Sequence, residues 1–138
     1  MKKPNGLTSI TLNKTRPNTK QEDKTVDNKI MKNIDLASPL ALPALVTYQT
    51  GQIVSRTLVQ NRAVSLTLFA FDTNEEISSH ESKGDAMVQI LDGKAKITIG
   101  ESVHVLSAGE TVVMPAGVPH ALEAVEPFKM LLTVIFPN

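Results

Sequence analysis

The chain has 138 residues, 41% of them hydrophobic and 20% charged, with 14 basic and 14 acidic residues, three histidines and no cysteine. One domain of ordinary size fits this length, whereas two would each be too small to bury much apolar surface. Without cysteine there can be no disulfide, no thiolate metal site and no cysteine nucleophile.

The formal net charge of zero hides an uneven distribution. Residues 1–30 carry Lys2, Lys3, Lys14, Arg16, Lys20, Lys24 and Lys29 against Glu22, Asp23 and Asp27, a balance of +4, and the remainder carries −4. The few apolar residues of this leader follow no period among many Asn, Thr and Lys, so residues 1–33 are expected to form a disordered or weakly ordered basic arm. The leader lacks the continuous apolar stretch of roughly 7–15 residues that a signal peptide needs. No run approaches the roughly 18–20 residues of a membrane span. The expectation is a soluble, cytoplasmic protein without a membrane partner. A nucleic-acid tether is the alternative for the arm, but its basic residues are scattered, acids interrupt them, and no aromatic residue lies among them to stack on bases. A solvated tail is the expectation, with no nucleic-acid partner.

Composition then shifts toward Ala, Leu and Pro. Pro39 and Pro43 prevent a long helix, so residues 34–44 are expected as a linker with at most one helical turn. Short β-rich segments follow through 45–138. Residues 45–49 are predicted extended, Thr50-Gly51 turns, and 52–60 and 63–71 alternate as strands on either side of Asn61. After a turn at 72–75, a polar loop is predicted over 78–85, containing His80, Glu81 and Asp85. Residues 86–91 and 94–100 are predicted as two strands joined by a type I′ hairpin at Asp92-Gly93. Further strands are expected at 102–106, 111–114, 120–124 and 128–136. Phe128, Met130, Leu132, Val134 and Phe136 share one face of the last strand, with Leu131 and Ile135 on the other, so cover on both sides is expected, from a second sheet or a partner subunit. Eight or more short strands without a convincing helix argue for an all-β sandwich or barrel. Its interior is filled chiefly by Val, Leu, Ile, Ala and Met, which leaves few π faces for stacking a base or sugar.

The segment from Gly109 to His120 carries the most specific signal. Gly109, Pro115, Gly117 and His120 stand at the spacing G, five residues, P-x-G, two residues, H, with Ala124 following after three intervening residues. This resembles the second motif of the cupin superfamily, where Asn takes the place of Ala124. The resemblance covers roughly residues 63–136 and implies a jelly-roll barrel. The family's first motif, H-x-H, three or four residues, E, six residues, G, is degraded here. Counting back from Gly93 puts Ala86 at the Glu position. The shorter spacing puts His80 and Ser82 at the two His positions, and the longer puts Ser79 and Glu81 there.

Metal-dependent members of that family hold Fe, Mn, Ni or Zn with three His and one Glu, donors that suit these ions. Carried over residue by residue, only His120 and, in one register, His80 remain as candidate ligands of a divalent metal. Glu81 or Asp85 is the candidate third ligand, which would give a two-His, one-carboxylate set. His80 otherwise reads as a solvated loop histidine, and His120 as a hydrogen-bonded core residue. His104 alternates with Val103 and Val105 and is expected on an exposed strand face without a role. Met87, Met114 and Met130 read as core filling. No G-x-S-x-G elbow, P-loop or G-x-G-x-x-G is present. The leading expectation is a small-molecule-binding cupin-like barrel, with or without a weakly held divalent metal. Two alternatives stand beside it: a metal-dependent oxygenase or isomerase using His80, Glu81 or Asp85, and His120, and a metal-free binding or sensory module. A homodimer is expected, with 45–60 as a strand pair available for exchange.

Overall fold

The structure, a computed structural model, describes residues 30–138. The expectation for the N-terminal arm falls almost entirely outside them. Residues 31–138 form one compact unit. Eight strands follow in chain order: β1 (Ile53–Gln60), β2 (Val64–Phe71), β3 (Glu76–His80), β4 (Asp85–Ile99), β5 (Ser102–Ser107), β6 (Thr111–Met114), β7 (His120–Glu123) and β8 (Phe128–Ile135). The only helix among the described residues is a 3-10 turn, Leu42–Leu45, with Pro43 as its second residue, where the missing N–H has no intrahelical partner to lose. This is the all-β jelly-roll architecture expected from the sequence.

All strand pairs are antiparallel. One wall of the barrel runs β1-β2-β8-β4-β6 and the other β5-β4-β7-β3, so β4 belongs to both. Its first half, up to Gly93, lies against β8, and its second half, from Lys94, lies against β5. The inward positions change parity on the way. Ala86, Val88 and Ile90 are buried in the first half, and Ala95 and Ile97 in the second. A register shift between Ile90 and Asp92 and a positive φ of 74° at Gly93 produce that change. Asp92-Gly93 is therefore not the tip of a hairpin. The left-handed conformation that a type I′ turn would use instead serves a bulge, which bends one 15-residue strand from wall to wall. Glycine is required there twice over, because a Cβ would stand 1.9 Å from the carbonyl oxygen of Pro127.

The expected polar loop over 78–85 is also corrected at both ends, since His80 closes strand β3 and Asp85 opens β4. Residues 45–49 join no strand: Leu45 ends the 3-10 turn, Val46 is extended as expected, and 47–49 carry no regular structure. Strand β1 pairs along its length with β2 of the same chain. Between them, Asn61 Oδ1 accepts hydrogen bonds from the N–H groups of Ala63 and Val64 at 2.8 and 2.9 Å, closing the turn.

Two apolar clusters result. The larger lies between the walls and holds a stacked pair, Phe71 and Phe128, with ring centroids 4.4 Å apart. The smaller lies outside β1, β2 and β8, where Leu58, Leu68, Ala70 and Leu131 meet Leu42, Leu45 and Val46. The outer face of β8 is thus covered at Leu131 by the chain's own residues that precede β1, while Ile135 at its end is 55% exposed. The same stretch is tied to β1 by Lys32 N–H donating to Leu58 O at 2.8 Å and by Asn33 Nδ2 donating to Thr57 O at 2.8 Å. No helix among the described residues is long and apolar enough to cross a membrane.

Candidate functional site

Strands β3 and β7 are neighbours, and their register sets His80 directly opposite His120. The two rings meet edge to face, with centroids 4.4 Å apart. Each ring is anchored in the same way. His80 Nδ1 donates to the carbonyl oxygen of Ser78 at 3.0 Å, and His120 Nδ1 donates to that of Val118 at 3.1 Å. A carbonyl only accepts, so the proton sits on Nδ1 in each neutral ring and Nε2 carries a free lone pair. His120 is 3% exposed. Burial, the largest influence, together with the neighbouring His80 holds its pKa below the ordinary histidine value, against the opposing effect of the Val118 carbonyl. The motif glycines and prolines explain how this ring is aimed. Gly117, at φ +77°, turns the chain, and its N–H donates to Ser82 O at 2.9 Å. The Ala116 N–H donates to Asp85 Oδ1 at 2.8 Å. The turn that leads into His120 is therefore stitched to the segment leading into β4.

Both histidines line a cavity of about 250 Å³ between the walls. Ile77 and Leu122 contribute from one wall, and Ala86, Met114, Met130, Leu132 and Val134 from the other, with Glu81 and Ser82 at the mouth. The alternation along β8 already placed Met130, Leu132 and Val134 on a common face. Lining by Ile77 escaped the sequence, because β3 was not visible as a strand. Met114 and Met130, expected as core filling, line the cavity as well as being buried.

The structure brings His80, His120 and Glu81 to one cavity and leaves Asp85 out of its lining. The Asp85 carboxylate is instead committed to the Ala116 N–H. His104 is exposed on β5, as expected, although Val103 and Val105 beside it are exposed too. Of the residues that the two registers of the first motif place at the His positions, His80 stands opposite His120, and Ser82 and Glu81 both line the cavity. Where metal-dependent cupins are expected to place further donors, this chain has Ser82 and Ala86. Among the described residues no three His, Asp or Glu side chains converge closely enough to hold a metal ion. Two imidazoles fall short of the three protein ligands that even an open catalytic zinc site uses. The donor set does not fit a resident metal.

Comparison with known proteins agrees with the architecture. Residues 67–136 match the family model for the cupin domain. A solved structure of a Streptococcus pyogenes protein of unknown function is 47% identical, with a TM-score of 0.78, covering 80% of this chain and 96% of that one. A cupin superfamily protein from Desulfitobacterium hafniense is 32% identical, with a TM-score of 0.75, covering 78% of this chain and 98% of that one. An uncharacterized protein of Streptomyces coelicolor is 28% identical over 79 residues, which is 57% of this chain and 75% of the relative. A salicylate 1,2-dioxygenase from Pseudaminobacter salicylatoxidans, 16% identical with a TM-score of 0.56 over 60% of this chain and 26% of that one, shares the fold. The matched motif, the two-walled barrel and these relatives together show that the chain belongs to the cupin family.

Proposed function

We propose that this cupin binds a small molecule whose apolar body fills the cavity and whose polar end is received by His80 and His120. One observation carries the reading: two histidines with free Nε2 atoms stand at a cavity that is otherwise almost wholly apolar. Few convergent polar groups on an apolar lining are the usual composition of a small-molecule site. At about 250 Å³ the cavity lies just under the usual range of roughly 300–1,000 Å³, so the ligand is small. Neutral Nε2 atoms accept hydrogen bonds, so the polar end must donate them.

Binding through the protein's own side chains, without a resident metal, separates this reading from the oxygenase or isomerase alternative. The test is ligand-induced thermal stabilisation across a panel of small alcohols, phenols and amines, with and without EDTA. Stabilisation that survives EDTA and disappears in His120→Ala is expected. No stabilisation by any compound, or an equal rise in His120→Ala, would refute the reading. Metal analysis of untagged protein and oxygen consumption with Fe(II) test the metal alternative directly. The reading takes the protein as soluble and cytoplasmic, with a small molecule rather than a nucleic acid as partner. Homodimerisation belongs with it, since Val103, Val105 and Val113 leave apolar surface exposed on β5 and β6. Sedimentation at micromolar concentration measures it.

A further inference from the structure

The cavity at the histidine pair shares two lining residues with a second, more open hollow. Glu81 and Ser82, at its rim, also line an open hollow of about 650 Å³ that extends over Lys83 and Gly117. Glu81 and Lys83 are opposite in charge and two residues apart, yet among the described residues neither takes part in an ion pair. The floor is unobstructed, for a Cβ at Gly117 would meet nothing within 4 Å.

The lining residues fall in a definite order, since His80 and His120 line only the cavity, Glu81 lines both cavity and hollow, and Lys83 lines only the hollow. Two imidazole Nε2 acceptors come first, then a carboxylate that can only accept, then a lysine ammonium that can only donate. Three acceptors, one of them negatively charged, complement a primary ammonium, which has three donors and no acceptor. The spacing argument that disfavours a metal does not disfavour this group. Metal ligands stand at about 2.0–2.2 Å, whereas hydrogen bonds to nitrogen span about 2.7–3.2 Å, so a wider set can still receive an ammonium. Lys83 beyond it offers a partner to a carboxylate.

We infer that the cavity and the outer hollow form one site for a small zwitterion of the α-amino acid class with an apolar side chain. The ammonium is held by His80, His120 and Glu81, the carboxylate lies toward Lys83, and the side chain enters between Met114 and Met130. Methionine sulfur favours an aromatic side chain there. The inference rests on the small-molecule reading above and goes further by naming the ligand class.

Calorimetric titration with L-phenylalanine, L-leucine, 3-phenylpropanoate, 2-phenylethylamine and 2-phenylethanol tests it. The two amino acids are expected to bind about tenfold more tightly than the three analogues, each of which lacks one or both charges. Glu81→Gln should abolish the advantage of L-phenylalanine over 3-phenylpropanoate, and Lys83→Met its advantage over 2-phenylethylamine. Both side chains are exposed, so neither substitution threatens the fold. Any order of affinity in which the amino acids are not the tightest overturns the zwitterion inference. If 2-phenylethanol then binds as well as L-phenylalanine, the small-molecule reading stands alone. If no compound binds the unsubstituted protein, both fail.

Discussion

His80 and His120 face each other across neighbouring strands, each ring held by its Nδ1–H on the carbonyl two residues before it. The pair is asymmetric, because His120 is buried and His80 is exposed at the strand end. Desolvation lowers the pKa of His120, so the folded state resists a proton that the unfolded chain accepts readily. The resulting stability is therefore fully present above the unfolded histidine value of about 6.5 and is lost as pH falls through the folded value. Urea midpoints should decline from about pH 7.5 to about pH 5, and His120→Gln should flatten that decline. An NMR titration of His120 Cε1–H with a midpoint at or above the ordinary histidine value would contradict the prediction.

The stitched turn at the cavity mouth gives a second prediction. Asp85 Oδ1 accepts the Ala116 N–H at 2.8 Å, holding the approach to His120 in place. Asp85→Ala leaves that N–H without its partner and should cost about 1–2 kcal/mol. Asp85→Asn keeps an acceptor oxygen and should cost less. Hydrogen exchange at Ala116 reports the effect locally, and equal exchange in all three proteins would show that the contact holds nothing.

Much of this arrangement was legible in the sequence where a residue type has one physical use at its spacing. Gly109, Pro115, Gly117 and His120 fixed the family, and the alternation along residues 128–136 fixed which face of β8 looks inward. Two elements were misread because local chemistry was ambiguous. Asp92-Gly93 needs a positive φ for a hairpin and for a bulge alike, and only the partner strands β8 and β5 decide between them. Residues 76–80 are polar and mostly exposed because β3 is an edge strand with one neighbour, so no hydrophobic alternation marks it. The cover over Leu131 by residues that precede β1 depends on long-range packing that no local pattern encodes.

The bulge on β4 yields a sharp comparison of two glycines. Gly93 and Gly109 both have positive φ, but a Cβ at Gly93 would strike Pro127 O whereas one at Gly109 meets nothing within 4 Å. Gly109→Ala should cost only the conformational penalty of about 1–2 kcal/mol. Gly93→Ala adds a backbone clash where β4 changes walls and should cost about 3 kcal/mol or more. Urea denaturation measures both, and equal losses would mean that the close approach at Pro127 relaxes freely.

Tyr48 provides the last prediction, and it is the only tyrosine in a chain without tryptophan. Its hydroxyl donates to Asp92 Oδ2 at the bulge of β4, while Lys129 Nζ lies 5.0 Å from its ring centroid and donates to Pro43 O at 2.6 Å. These contacts fasten the chain preceding β1 onto the barrel. Burial first, then the hydrogen bond to Asp92 and the charges of Asp92 and Glu126, push the phenol pKa well above its usual value. A raised pKa means that the folded state favours the neutral phenol. The associated stability is fully present below the unfolded value of about 10 and is lost as pH rises through the folded one. Phenolate absorbance, which reports this residue alone, should appear only well above pH 10, together with loss of folded structure. Asp92→Asn should move the transition part of the way down, since burial remains. Tyr48→Phe should cost about 1–2 kcal/mol, as expected for a hydrogen bond to a charged group, and should remove the alkaline fall in stability. An absorbance midpoint near pH 10 in the folded protein would show that the outer segment is not fastened through Asp92.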